Sequence, residues 1–90
     1  MDWADRIGRR IKLRDLHVLL AVAECGGMAK AAEHLAITHP VVSKTISDLE
    51  RTLGVRLFDR VGRAVRLTSS GEELVARAGP LLEELSRVII

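Results

Sequence analysis

The sequence predicts a mainly α-helical fold in which three short helices precede a two-stranded hairpin and a long final helix. Apolar residues recur every three or four positions between residues 13 and 53, which is helical spacing, and turn signals interrupt the pattern twice. Two brief apolar segments, 57–58 and 65–67, flank a polar stretch that contains Gly62, as in a hairpin. Ninety residues suffice for one domain with a modest core.

The first two helices are predicted at residues 13–24 and 28–35. Gly26-Gly27 ends the first helix, and Ala36-Ile37 forms the turn after the second. The inward face of the second helix consists of Met28, Ala31, Ala32 and Leu35. The small side chains of its two alanines allow a neighbouring helix to approach closely.

The third helix is predicted to begin at His39 or Pro40, with Thr38 as its capping residue. Its core face consists of Val42, Ile46, Leu49 and Leu53. Its outward face consists of Pro40, Lys44, Ser47 and Arg51, flanked by Val41 and Ser43. We expect this outward face to lack the dense pairing of opposite charges that is usual on a solvated helix, so it suits the floor of a nucleic-acid groove.

The hairpin has the arginine-bearing tip 59–64, and the last helix is predicted to begin at Thr68 or Ser69. Ser69 and Glu72 have the spacing of a capping box. The apolar stripe of this helix is too broad for one small domain to cover, so we predict that it pairs two copies of the chain. The alternative is packing against a further domain. The predicted dimer contacts are Leu74, Val75, Ala78, Leu81, Leu82, Leu85, Val88 and Ile89.

Positive charge is concentrated in the middle of the chain. Residues 38–66 contain six basic and three acidic side chains, whereas residues 67–90 contain two basic and four acidic ones. With one Phe and one Trp, the chain lacks a row of rings for stacking bases, which disfavours single-stranded partners. Duplex DNA is the expected ligand.

Other classes of protein are disfavoured. A single cysteine, a charged start without a signal peptide and the lack of a long apolar run favour a cytoplasmic protein without membrane contact. The three histidines and Cys25 lack metal-ligand spacing, so we expect no metal and no cofactor. Neither the carboxylates Asp48, Glu50 and Asp59 nor Ser69-Ser70-Gly71 forms a catalytic pattern, so we expect no enzyme. Glu50 lies at the edge of the core face of the third helix, where we expect it to pair with a nearby arginine.

The segment 1–12 has Trp3, Ile7 and Ile11 at four-residue spacing, with basic residues between them. We interpret it as an extra helical turn that continues into the first helix. Contact with DNA phosphates is the less favoured alternative.

Together, several stretches between Leu16 and Gly71 carry a family resemblance. They are Ala31 to Leu35, Pro40 to Lys44, Leu53 to Phe58 with Arg60, and Leu67-Thr68 followed by Gly71. The chain resembles the N-terminal winged helix-turn-helix domain of LysR-type transcriptional regulators. That resemblance implies a third helix in the major groove, a wing on the backbone or minor groove, and a symmetric dimer on an inverted-repeat operator.

The resemblance also divides the chain. It implies an extension at 1–12, a DNA-binding domain at 13–67 and a linker helix for dimerisation at 68–90. The family normally continues into a two-lobed effector domain, where a small-molecule co-inducer would bind. We interpret the abrupt apolar end, Val88 to Ile90, as that of an excised fragment.

Three positions depart from the family pattern in ways that affect DNA contact. Gly27 and Ala29 stand where hydroxyl side chains are usual, and Lys30 could replace the lost phosphate contact. His39 stands where glutamine is usual and lacks the bidentate amide that favours adenine. The predicted DNA contacts are Lys30, Thr38, His39, Pro40, Val41, Ser43, Lys44, Ser47, Arg51, Arg60 and Arg63. A winged-helix module that binds protein and a non-specific architectural DNA binder remain as alternatives.

Overall fold

The computed structural model describes residues 10–88 of the chain. In chain order the elements are α1 (Leu13–Cys25), α2 (Met28–Leu35), α3 (His39–Leu53), β1 (Phe58–Val61), β2 (Ala64–Leu67) and α4 (Ser69–Ser86). The two strands are antiparallel, with Phe58 opposite Leu67 and Val61 opposite Ala64. The predicted fold class, a mainly helical winged helix-turn-helix with a long final helix, is confirmed.

The core lies where α1, α2 and α3 meet. Its largest fully buried side chains are Leu19, Val22, Val42, Ile46, Leu49 and Leu57. Three of the four residues predicted for the core face of α3 are buried, whereas Leu53 is half-buried at the rim. The core therefore fixes α3 by one face and leaves the other face exposed.

The turn between α2 and α3 sets the angle at which α3 leaves the domain. Ala36 ends α2 in the left-handed region, with φ 57°, which costs a non-glycine residue about 1–2 kcal/mol. Thr38 then caps α3, because its Oγ1 accepts a hydrogen bond from the Val41 N–H at 3.4 Å. The predicted turn and cap are both confirmed.

The predicted start of α4, at Thr68 or Ser69, is confirmed, because α4 begins at Ser69, but the cap expected at Ser69 is wrong by one residue. Thr68 is the capping residue, and its Oγ1 accepts from the Gly71 N–H at 3.0 Å. The third position of the helix is therefore Gly71, and the capping box expected from Ser69 and Glu72 does not form.

The predicted helical continuation into α1 is also wrong at Arg10 to Lys12. Lys12 is extended, with φ −103° and ψ 156°, and its N–H donates to Asp15 Oδ2 at 2.9 Å. α1 therefore begins only at Leu13. The remainder of that predicted segment, 1–9, lies outside the described residues.

Candidate nucleic-acid interface

The outward face of α3 is open to solvent along its length. Most of its predicted DNA contacts are exposed, whereas Ser43 is half-buried. The exposed ones, with the capping residue, are Thr38, His39, Pro40, Val41, Lys44, Ser47 and Arg51. Pro40 lies in the first turn, where its missing N–H leaves no hydrogen bond unmade. The helix thus presents small and polar groups near its N-terminus.

The wing forms a cleft with the start of α3. His39, Arg60 and Arg63 line this cleft, which has a volume of about 310 Å³, together with Ala29 of α2. Three predicted DNA contacts from two separate elements therefore meet at one place. Arg63 and Lys30 also share an adjoining depression, which extends the basic strip to α2.

Backbone contacts hold the wing in that position. The Val65 N–H donates to the carbonyl oxygen of Gly26 at 3.2 Å, which ties β2 to the end of α1. A side chain at Gly27 would meet the Arg63 carbonyl at ordinary van der Waals distance, 3.7 Å. β2 is therefore attached to the helical core as well as to β1.

The outward face of α3, on which we expected no dense pairing of opposite charges, carries two ion pairs that share one carboxylate. Lys44 Nζ lies 2.8 Å from Asp48 Oδ2, and Arg51 Nη1 lies 3.2 Å from Asp48 Oδ1. The hydrogen bond from Lys44 is the main cause that lowers the pKa of Asp48. Desolvation opposes it, and the charges of Lys44 and Arg51 with the hydrogen bond from Arg51 lower the pKa further. One carboxylate thus partly neutralises two predicted phosphate contacts.

Glu50 has a role that the sequence reasoning missed. Its Oε2 accepts hydrogen bonds from the Leu57 N–H at 2.7 Å and the Phe58 N–H at 3.3 Å. Arg56 Nε lies 3.9 Å from the same oxygen, at the limit of an ion pair. Sequence analysis placed Glu50 at the edge of the core face of α3 and favoured pairing to an arginine. The backbone bonds are shorter, so the main role of Glu50 is to join α3 to the start of the wing.

Thr68 completes this junction from the side of α4. Its hydroxyl donates to the Arg56 carbonyl at 2.6 Å, and its N–H donates to the Leu57 carbonyl at 2.9 Å. Gly71 lies against the same carbonyl, where an added Cβ would overlap the Leu57 oxygen. Residues 56–58 are therefore held between α3 and α4.

The predicted dimer contacts on and just after α4 differ in their exposure. Ala78 is 2% exposed within a single copy, so the prediction that it contacts a partner is corrected: it packs inside its own domain. Leu81 and Val88 are 50% and 82% exposed. The half-buried members are Leu74, Val75, Leu82 and Leu85. Ile89 lies outside the described residues.

Val75 and Leu82 also line a groove of about 590 Å³ between α4 and α1, where they face Leu20 and His17.

Within residues 10–88, no three His, Cys, Asp or Glu side chains are grouped as a metal site would require. In the same part of the chain, no helix combines the length and apolar character needed to cross a membrane.

Fold and surface together define a winged helix-turn-helix protein with an exposed third helix beside a basic wing. Residues 13–72 match the family described as bacterial regulatory helix-turn-helix protein, lysR family. The chain belongs to that family.

Curated relatives include regulators from several bacteria. The chain is 51% identical over 73 residues to an HTH-type transcriptional regulator encoded in the ibpB-leuC intergenic region of Azotobacter vinelandii, covering 81% of this chain and 51% of that protein. It is 40% identical over 86 residues to the HTH-type transcriptional regulator YdcI of Escherichia coli, covering 96% of this chain and 28% of YdcI. The chain thus spans between about a quarter and a half of these relatives.

Solved structures agree with the fold. The DNA-binding domain of CbnR in complex with DNA superposes with a TM-score of 0.83 at 36% identity, covering 87% of this chain and 90% of that one. The complex of the BenM DNA-binding domain with benA site 1 DNA superposes with a TM-score of 0.84 at 34% identity. The match covers 88% of this chain and 92% of the BenM chain.

Proposed function

We propose that this chain is the sequence-specific, double-stranded DNA-binding part of a LysR-type transcriptional regulator. The observation that carries the proposal is the meeting of His39, Arg60 and Arg63 at a cleft beside the exposed N-terminal half of α3. A convex helix next to a basic wing suits a major groove and its flanking phosphates. CbnR and BenM, which resemble this chain over most of its length, were solved bound to DNA.

The roles follow from side-chain chemistry. We assign base contacts to His39, Pro40, Val41 and Ser43. Pro40 and Val41 suit thymine methyl groups, and His39 can donate to or accept from a base edge. We assign phosphate contacts to Lys30, Thr38, Lys44, Ser47, Arg51, Arg60 and Arg63. The mechanism is binding rather than catalysis.

The proposal extends to assembly. Two copies would pair through α4 and place two recognition helices on an inverted-repeat operator. Exposed Leu81 on α4 and Val88 just after it support this pairing, because they leave apolar surface uncovered within one copy. We also propose the division into an extension at 1–12, a DNA-binding domain at 13–67 and a linker helix at 68–90. We also propose that the whole protein is cytoplasmic. A small-molecule co-inducer would act on it through a further domain.

Selection of bound sequences from a random pool of duplex DNA, followed by footprinting, tests the function. We expect an enriched inverted repeat and protection of both half-sites. Substitution of Arg60 and Arg63 by alanine should weaken binding and lower the slope of log affinity against log salt by about two units if each contacts one phosphate.

The two alternatives give different results in this experiment. An architectural DNA binder would bind random and enriched duplexes with equal affinity. A module that binds protein would yield no enrichment, and substitution of Arg60 and Arg63 would leave its DNA retention unchanged. Either result would contradict the proposed function.

A further inference from the structure

A second basic depression lies along α3, formed with the segment that precedes α1. Its volume is about 300 Å³, and its basic members are Arg10 and Lys12 from that segment and Lys44 from α3. Val41 and Thr45 form part of its wall. Lys12 is extended and interrupts the helical pattern before α1. Arg10 and Lys12 lie beside α3 in this arrangement.

The two carboxylates in this depression already have hydrogen-bond partners. Asp15 accepts from the Lys12 N–H, and Asp48 accepts from Lys44 and Arg51. Among residues 10–88, no carboxylate oxygen lies within 4.0 Å of a side-chain nitrogen of Arg10 or Lys12. Both of these side chains are exposed. Two cations beside α3 are thus available, within the described part of the chain, to an anion from outside.

The depression and the wing cleft lie on different flanks of α3. Val41, Lys44 and Asp48 recur at steps of three and four and therefore share one stripe of the helix. His39, which lines the wing cleft, is about 140° around the helix and about 7.5 Å along it from Lys44. A helix lying in a major groove about 12 Å wide has a phosphate backbone on each side. The wing faces one flank, and Arg10 with Lys12 faces the other.

We propose that Arg10 and Lys12, together with Lys44, bind phosphates on the backbone across the major groove from the one that the wing contacts. This inference rests on the proposed function, which it deepens by adding a second phosphate-binding site. This site and the wing would hold the DNA backbone on the two sides of α3. Because phosphate contacts carry no base information directly, it contributes affinity and register rather than sequence preference.

The test compares the 90-residue chain with the double variant Arg10→Gln, Lys12→Gln on the duplex enriched by selection. Fluorescence anisotropy over a range of salt concentrations gives the slope of log affinity against log salt. Each lost phosphate contact lowers that slope by about 0.9, so the variant should lose about two units. Ethylation interference should show that modified phosphates on one side of the groove inhibit the wild type but no longer inhibit the variant.

Two controls separate a local contact from a general effect of charge. The swap Arg10→Lys, Lys12→Arg preserves both charges and should keep the slope. Arg77→Gln removes an exposed cation from α4, where Arg77 pairs with Glu73, and should leave the slope unchanged. Circular dichroism during heating verifies that every variant is folded.

The possible outcomes distinguish this inference from the function on which it rests. An unchanged slope and interference pattern in the double glutamine variant, with normal DNA binding by the wild type, would overturn the second site and leave the function standing. An equal loss in Arg77→Gln, or a loss in the charge-preserving swap, would also overturn it. Absence of binding by the wild type would overturn the function and this site together.

Discussion

Asp48 controls how much positive charge α3 presents to a DNA phosphate. It holds both Lys44 and Arg51, whose side chains are 77% and 78% exposed, at hydrogen-bond distance. Exposed ion pairs contribute little to folding and are screened by salt. A phosphate can therefore replace the carboxylate as the partner of Lys44 at small cost.

We predict that Asp48→Asn tightens DNA binding and steepens its dependence on salt, because it removes a negative charge that competes with phosphate. Thermal stability should change little, since the pair is exposed. Anisotropy measures the affinity. Glu73→Gln, which breaks the Arg77 pair on α4, is the matched control and should leave affinity unchanged. Unchanged or weaker binding by Asp48→Asn would show that Asp48 does not oppose the DNA.

The pH dependence of this pair follows from the lowered pKa of Asp48. The ion pairs of Asp48 stabilise the fold at pH values above the pKa of this carboxyl in the unfolded chain, about 3.9. That stabilisation is lost as the pH falls through the lower pKa of Asp48 in the folded state. Asp48 therefore stays ionised between about pH 5 and 8. The difference in DNA affinity between Asp48→Asn and the wild type should be constant over that interval.

Glu50 is the residue that joins the recognition helix to the wing. Its carboxylate, 21% exposed, accepts from the N–H of Leu57, a fully buried residue. Hydrogen bonds to charged groups contribute about 1.5–3 kcal/mol, and a buried N–H without a partner is costly.

We predict that Glu50→Ala lowers the free energy of unfolding by about 2–3 kcal/mol and that Glu50→Gln lowers it less, because an amide oxygen still accepts. Urea denaturation gives both values. Glu33→Ala, at an exposed site on α2, is the control. If Glu50→Ala and Glu33→Ala had equal effects, the carboxylate would not hold the wing.

At the scale of elements, α4 is positioned by a close approach at Gly71. Because no side chain is present there, the first turn of α4 can pack directly on the backbone of Leu57, and Leu67 Cδ2 would lie 2.9 Å from an added Cβ. Through Leu57 and Glu50, the orientation of α4 is linked mechanically to α3.

We predict that Gly71→Ala destabilises the chain by about 2–3 kcal/mol, as overpacked sites do, even though alanine is the better helix former by about 1 kcal/mol. Thermal denaturation measures the effect. Ala76→Gly, at an exposed site of the same helix, calibrates the intrinsic propensity. A stabilised Gly71→Ala would contradict the close packing of α4 on Leu57.

The sequence predicted the elements better than their junctions. Helical spacing and the Thr38-Pro40 start located α3, because these signals are local. The junction at Glu50 depends on contacts across seven or eight positions, which periodicity does not contain. The cap of α4 was displaced by one residue because Thr68 and Ser69 have equivalent chemistry and tertiary contacts decide between them. The ion pairs of Asp48 were not predicted, because helical periodicity was used only to separate the core face of α3 from its outward face.

At the scale of the whole molecule, one copy leaves apolar surface on α4 uncovered. Leu81 and Val88 are the most exposed members of the predicted stripe within residues 10–88, whereas Ala78 is covered by its own domain. An interface with a second copy would bury this surface and would fix the spacing between two recognition helices.

We predict that Leu81→Glu weakens dimerisation by at least tenfold, because a carboxylate would be buried at the interface. Sedimentation velocity over a range of concentrations measures the change. Ala76→Glu places the same charge about 140° away on α4 and should leave dimerisation intact. Equal sedimentation of wild type and Leu81→Glu at all concentrations would remove Leu81 from the interface.

We infer that the exposed face of α3 and the adjoining wing bind duplex DNA. Titration of the 15N-labelled chain with the enriched duplex, followed by amide resonances at low salt, tests it most directly. We predict shifts concentrated at His39 to Ser47 and Arg60 to Arg63, reversed by added salt and reduced with a scrambled duplex. An absence of shifts in these two segments would contradict the claim.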